Sequence, residues 1–353
     1  MSAQMIDWDL AVAAATRLAG PGPVVTRAEA DDAVAELRAG AERSTPLVRD
    51  FTGLVAEAGT APVLVVDRAG WIQANAEAFD HLISPVVAKL QERRGIEPGG
   101  LTAAVGSRVT GLEVGGLLGF LAGKVLGQFD PFTTEGLGRL LLVAPNIVHA
   151  ERELDVDTAD FRLWVCLHEE THRVQFTAVP WLRDHLQSEI DRLVDDVDVD
   201  PSRVAAMLGD AVKRTGEIVR GTGGPGTGSL LDVFATPAQR EVIDRVTAVM
   251  SLLEGHADVV MDDVGPEVIG SVALIRERFN RRRKGASSMD RLIRRLLGLD
   301  AKMAQYRDGA RFVRAVLDDV GMDGLNKVWV EPANLPSMAE ISEPGAWMRR
   351  VHG

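Results

Sequence analysis

Apolar residues recur at intervals of three and four along most of this chain, and that period predicts helices near 7–19, 27–41 and 45–58. Gly20, Pro21 and Gly22, then Gly40 and Gly59, read as the breaks between them. The pattern then changes. Val63 to Val66 is a short apolar run rich in valine, Arg68-Ala69-Gly70 reads as a turn, and Trp71 to Gln73 reads as a second short strand, so a hairpin is expected. A helix follows from about Ala76 to Arg93, then a loop from Gly95 to Gly100. The stretch Gly111–Gln128 is rich in glycine and alanine and suits a helix in close contact with another helix. Arg139 to Ala144, closed by Pro145, predicts another strand. From Asp157 onward the period is helical almost throughout, near 158–178, 181–196, 201–219, 237–262, 267–284, 288–297 and 300–320, with a short piece at 322–329.

The expected fold class is therefore mainly α, in the α+β sense, with a small sheet or hairpin ahead of the helical part. A single domain over 1–353 is expected, with the sheet in 1–150 and the helical remainder in 151–353. Hydrophobic residues make up 46% and charged residues 25%, which permits a sizeable core. The net charge of -12 and an aromatic share of 5% oppose a nucleic-acid surface built on phosphate attraction and base stacking. One cysteine, Cys166, leaves no intramolecular disulfide and no thiolate zinc knuckle. The N-terminal residues lack a basic segment ahead of an apolar run, so a cytoplasmic protein is the simplest reading. Glu113 and Lys124 bracket an apolar stretch too short to span a bilayer, and no membrane partner is expected.

The residues that carry chemistry lie in LWVCLHEETHRVQF, Leu163 to Phe176. His168 and His172 stand one helical turn apart on one face, so both imidazoles can reach one ion. Glu169 lies about 100° round from His168, beside such an ion, where its carboxylate can act as general base toward a metal-activated water. Asp157 can cap this helix, with Asp160 in its first turn. Buried histidines without a partner would be costly among Phe161, Trp164, Val165, Val174 and Phe176, which favours a metal over accidental histidines. The third ligand is sought in Met250 to Asp263. Glu254 is assigned there, with Asp258 one turn later as an acid that can orient a ligating histidine; His256 and Asp258 are the alternative ligands. Two histidines and one carboxylate suit a catalytic Zn2+ rather than a closed structural site. Tyr306, the one tyrosine, is the candidate oxyanion donor, and His185 reads as a surface residue.

Other features read blandly. The glycine-rich stretch Gly221–Ser229 lacks the lysine of a phosphate loop, and Asp195–Asp200 lacks the glycine and glutamate of an EF-hand. The basic cluster from Arg281 to Lys284 with Arg291, Arg294 and Arg295 reads as solvated surface or a partner contact.

The stretches VLVVDRAGW, LLLVAPNI, DFRLWVCLHEETHRVQF, LLEGHADVVMD and GMDGLNKVWVEPANLP resemble the zincin-like metallopeptidase family of actinobacteria and chloroflexi. Its members are often labelled as associated with coenzyme F420 biosynthesis, although no residues here specify a deazaflavin site. The resemblance implies a zincin-like fold, and the wider likeness to gluzincins implies glutamate as third ligand with an aspartate four residues on, matching Glu254 and Asp258. The expected activity is a zinc-dependent peptidase or hydrolase acting on a peptide or protein substrate. The alternative is a catalytically inactive zincin-fold scaffold that keeps the metal.

Overall fold

The computed structural model describes residues 6–57, 59–94, 101–133, 136–195, 236–284 and 299–353. The helices expected at 201–219 and 288–297, the loops Gly95–Gly100 and Gly221–Ser229, Asp196–Asp200, and Arg291, Arg294 and Arg295 lie outside these residues. The chain forms two compact units, residues 1–183 with 260–281 and residues 184–259 with 282–353.

The first unit is built on α1 (Trp8–Ala19), α2 (Arg27–Thr52), β1 (Val63–Val66), α3 (Arg68–Arg94), α4 (Leu101–Ala122), β2 (Gly127–Asp130), β3 (Arg139–Val143), α5 (Ala144–Leu154) and α6 (Thr158–Ala178). Its three strands form a mixed sheet in the order β1-β3-β2. β1 runs parallel to β3, with Val63 opposite Leu140, and β2 runs antiparallel, with Gly127 opposite Leu142. The expected strand at Arg139 is thus the central one, completely buried from Leu140 to Val143. The core around α6 gathers Leu37, Val48, Leu142, Ile147, Phe161 and Leu167, together with Val260, Met261 and Val264 from α8 (Pro237–Val268).

Three expectations fail locally, each for a physical reason. Gly40 does not break α2, which has a capping box at Thr26 and Glu29 and runs on to Thr52. A side chain at Gly40 would begin 3.1 Å from the Cys166 sulfur, so the glycine admits α6 rather than ending a helix. The hairpin is replaced by a strand and a helix. Asp67 accepts a hydrogen bond from the Gly70 N–H at 2.7 Å, capping α3, and Trp71 and Ile72 become buried helix residues. The glycine-rich helix α4 stops at Ala122, and Gly127–Asp130, expected at or just past its end, forms β2. Gly111, Gly115 and Gly119 on α4 do lie against the α1 backbone at Asp7, Ala11 and Ala15, the close contact that their small size suggests. Among the described residues, no helix is long and apolar enough to cross a membrane.

In the second unit, α7 (Pro180–Asp195) and α8 are tied by Glu189, which is buried and paired with Arg192 at 2.6 Å and Arg245 at 2.7 Å. Further along the chain, after α9 (Val272–Lys284), α10 (Leu299–Leu325) crosses α8 backbone to backbone. A methyl on Gly309 would overlap the Ser251 carbonyl, and one on Gly255 would overlap Gly309 itself. Two short helices, α11 (Met338–Ser342) and α12 (Pro344–His352), close this unit, with Trp347 buried edge-on against Phe312.

Candidate metal centre

Helix α6 is strongly anchored. The Asp157 carboxylate accepts the Asp160 N–H at 2.9 Å, the expected N-cap. Arg162 is clasped by Glu151 at 2.6 Å and Glu36 at 2.7 Å. Beside the histidines, Arg173 donates two hydrogen bonds to Glu170, at 2.7 and 2.8 Å, and further ones to the Ala61 carbonyl and the Thr45 hydroxyl. Burial pushes the Glu170 carboxyl above its ordinary range, and the Arg173 guanidinium opposes the shift. Truncating one partner of such a pair costs about 3–5 kcal/mol, so these bonds fix the rotation of α6. Cys166 is fully buried; burial, then the nearby Glu169 and Glu170 carboxylates, raises its thiol pKa and leaves it unreactive.

The rotation brings the two imidazoles together. His168 Nε2 and His172 Nε2 stand 3.3 Å apart, with the rings nearly perpendicular at 89°. Two nitrogens each about 2.0–2.1 Å from one tetrahedral ion are separated by about 3.3 Å, so the spacing fits a shared cation. His172 Nδ1 lies 2.9 Å from the side-chain oxygen of the fully buried Gln175. In the tautomer where Nδ1–H donates to that oxygen, the Nε2 lone pair is left facing His168. Glu254 completes the group: one ligand atom from each of His168, His172 and Glu254 lies within 4.8 Å of the others. Leu252, Leu253, Val259 and Val260 around Glu254 are buried, and the helix that carries it continues into the core around α6.

The alternative ligands fall elsewhere. His256 is fully buried with its ring 5.5 Å from that of Trp329, and neither it nor Asp258 is in the metal-compatible group. Asp258 is half-buried one turn beyond Glu254. Tyr306 lies on the backbone course of α10, but its side chain is outside the described residues. His185 is half-buried on α7 rather than at the surface, and burial lowers its pKa although Glu189 opposes this.

Glu169 is nearly buried, and its position depends on a residue that the sequence reading passed over. A Cβ at Gly127 would stand 2.5 Å from Glu169 Cγ and 2.6 Å from Cδ, so the carboxylate occupies the space that a side chain on β2 would fill. β2 is an edge strand. The Val143 N–H donates to the Leu126 carbonyl, so the hydrogen-bonded pairs with β3 fall at Leu126, Gln128 and Asp130. The backbone groups of Gly127 and Phe129 point the other way, away from β3. Gln128, on the opposite face, accepts from the Trp71 indole at 2.8 Å and donates to Asn75 at 3.0 Å, holding β2 against α3. Gln175 and Gly127 could have been found by asking what a histidine's second nitrogen binds, and why a strand opens on glycine.

His168, His172 and Glu254 are thus a group of side chains that could hold a metal ion, with Glu169 next to one of them on α6. The chain belongs to the zincin-like metallopeptidase family, whose sequence pattern matches residues 6–348. Its fold is similar to that of a crystal structure from Chloroflexus aurantiacus, presented as a candidate hydrolase with a novel fold. The two are 32% identical over 98% of this chain and 99% of that one, with a TM-score of 0.71. No curated protein matches the chain.

Proposed function

We propose that this protein is a zinc-dependent hydrolase of peptide or related amide bonds. His168, His172 and Glu254 would hold the ion, and three protein donors are the number found at catalytic rather than closed zinc centres. When bound, the ion would supply Lewis acidity, polarising a carbonyl and making a water more acidic. The chain's own residues supply the rest. A Glu169 carboxylate oxygen takes a proton from the attacking water and passes it to the departing nitrogen, so that a C–O bond forms, the C–N bond breaks, and acid and amine are released. Arg173, held in place by Glu170, donates to the Ala61 carbonyl and the Thr45 hydroxyl and so keeps α6 from rotating, and Gln175 holds the His172 ring. The free edge of β2 offers the Gly127 and Phe129 backbone groups to an extended chain, which would add as a further strand. The strand expected from the sequence at Arg139–Ala144 is paired on both sides and offers no such edge.

The observation that carries this reading is the Glu169 carboxylate held against Gly127 of an edge strand, on the helix where two imidazole nitrogens converge. The test is Glu169→Gln. It should keep zinc at the wild-type stoichiometry while losing cleavage of a quenched-fluorescence peptide library; undiminished turnover would remove Glu169 as the base.

A further inference from the structure

We propose that the site selects peptides with a large apolar, preferably aromatic, side chain beside the bond to be cut, and that Phe176 and Phe129 form the wall that reads it. This rests on the hydrolase reading above and names its substrate class. His168, His172 and Phe176 fall at successive intervals of four, so they share one face of α6. Long side chains on a helix lean toward its N-terminus, which lays the Phe176 ring over the turn that carries His172. Phe176 is half-buried, and one face of its ring stacks on Phe129 at a centroid distance of 5.3 Å and an interplanar angle of 25°. Ala61, Val63 and Leu140 back the pair, so the wall is apolar throughout.

The register of β2 connects this wall to the chemistry. Gly127 and Phe129 are two residues apart, so they face the same side of the strand, about 6.7 Å from each other. The first faces Glu169 and the second faces Phe176. A peptide added along the edge of β2 has the same two-residue repeat. With its carbonyl at Glu169, its next side chain on that face falls on the Phe129–Phe176 wall. Nothing in the metal-binding group needs Phe176, so the ring can be altered with the ligands left in place.

The test uses the full chain loaded with zinc and titrated calorimetrically with N-acetyl-phenylalanine, N-acetyl-leucine and N-acetyl-alanine hydroxamates, which bind metal and are not turned over. The wild type should prefer the phenylalanine compound to the alanine compound by about 10–100-fold, the range a filled apolar pocket gives. Phe176→Ala should bind the same zinc and bring the two compounds within a few-fold of each other. Phe176→Leu, which keeps the core filled if the alanine variant fails to fold, should bring the phenylalanine and leucine compounds together. Equal binding of all three to the wild type, or an unchanged preference in the Phe176 variants, would overturn the wall while leaving the metal centre standing. Failure of zinc-loaded wild type to bind any of the three would bring down the hydrolase reading and the wall with it.

Discussion

Gly127→Ala is the sharpest perturbation of the Glu169 assignment, because the three atoms nearest the methyl all belong to the Glu169 side chain. The new carbon would stand 2.5 Å from Glu169 Cγ and 2.6 Å from Cδ, where unstrained carbons stay about 3.5–4.0 Å apart. Relief requires a shift of about 1 Å, and the flexible glutamate is what moves, since β2 is held on its other face by Gln128. Misplacing a reacting group by about 1 Å costs on the order of 100-fold in rate, or about 2.7 kcal/mol of activation free energy. The ligands are untouched, so zinc content should equal that of the wild type. Turnover of a peptide selected from a quenched-fluorescence library should fall about 100-fold in kcat. In the Glu169→Gln background the same substitution should do almost nothing, because both changes act on one carboxylate. Full activity in Gly127→Ala, or effects that add in the double variant, would refute the claim that the glycine exists to seat this base.

The same reasoning extends to three further positions. Gln175→Leu removes the partner of His172 Nδ1 at constant bulk and should weaken zinc binding about 10–100-fold in a competitive chelator titration; unchanged affinity would mean the ring is held by something else. Gly309→Ala forces a methyl into the Ser251 carbonyl and should cost about 1–3 kcal/mol or more, read as a fall of several degrees in Tm, whereas a neutral result would mean α8 and α10 are not in backbone contact. Burial lowers the pKa of His185 below the ordinary histidine value of about 6.5, so the unfolded chain takes up this proton more readily and His185 subtracts stability as pH falls from about 6.5 through its folded value. His185→Gln should flatten that part of the stability profile and leave it unchanged above pH 7, and an identical acid slope in urea melts would contradict the sign.

What the sequence made legible follows the strength of its local signals. The α6 helix, its Asp157 cap and the shared face of His168 and His172 rest on helical period, and that period survives folding because each helix buries one continuous face. The small sheet was harder to read. Gly127-Gln128-Phe129-Asp130 has no β-branched residue, and becomes a strand only because Leu140–Val143 offers an edge and Trp71 and Asn75 bind Gln128. Arg68-Ala69-Gly70 reads as a turn because the start of a capped helix and a β-turn use the same residues, and the Asp67 cap with the buried Trp71 and Ile72 decides for the helix. Gly40 looked like a break and turned out to be a contact, which depends on Cys166, far away in the chain. Gln175 stayed unnoticed for a similar reason: its importance lies in a hydrogen bond to His172, and no pattern of residue types marks it.

The central claim is that His168, His172 and Glu254 hold one zinc ion, and elemental analysis tests it most directly. Wild type, Glu254→Ala and the His168→Ala/His172→Ala double variant would each be freed of metal, equilibrated with zinc and dialysed. The account predicts one zinc per chain in the wild type, none in the double variant and a much weakened hold in Glu254→Ala. One zinc retained by the double variant would contradict it.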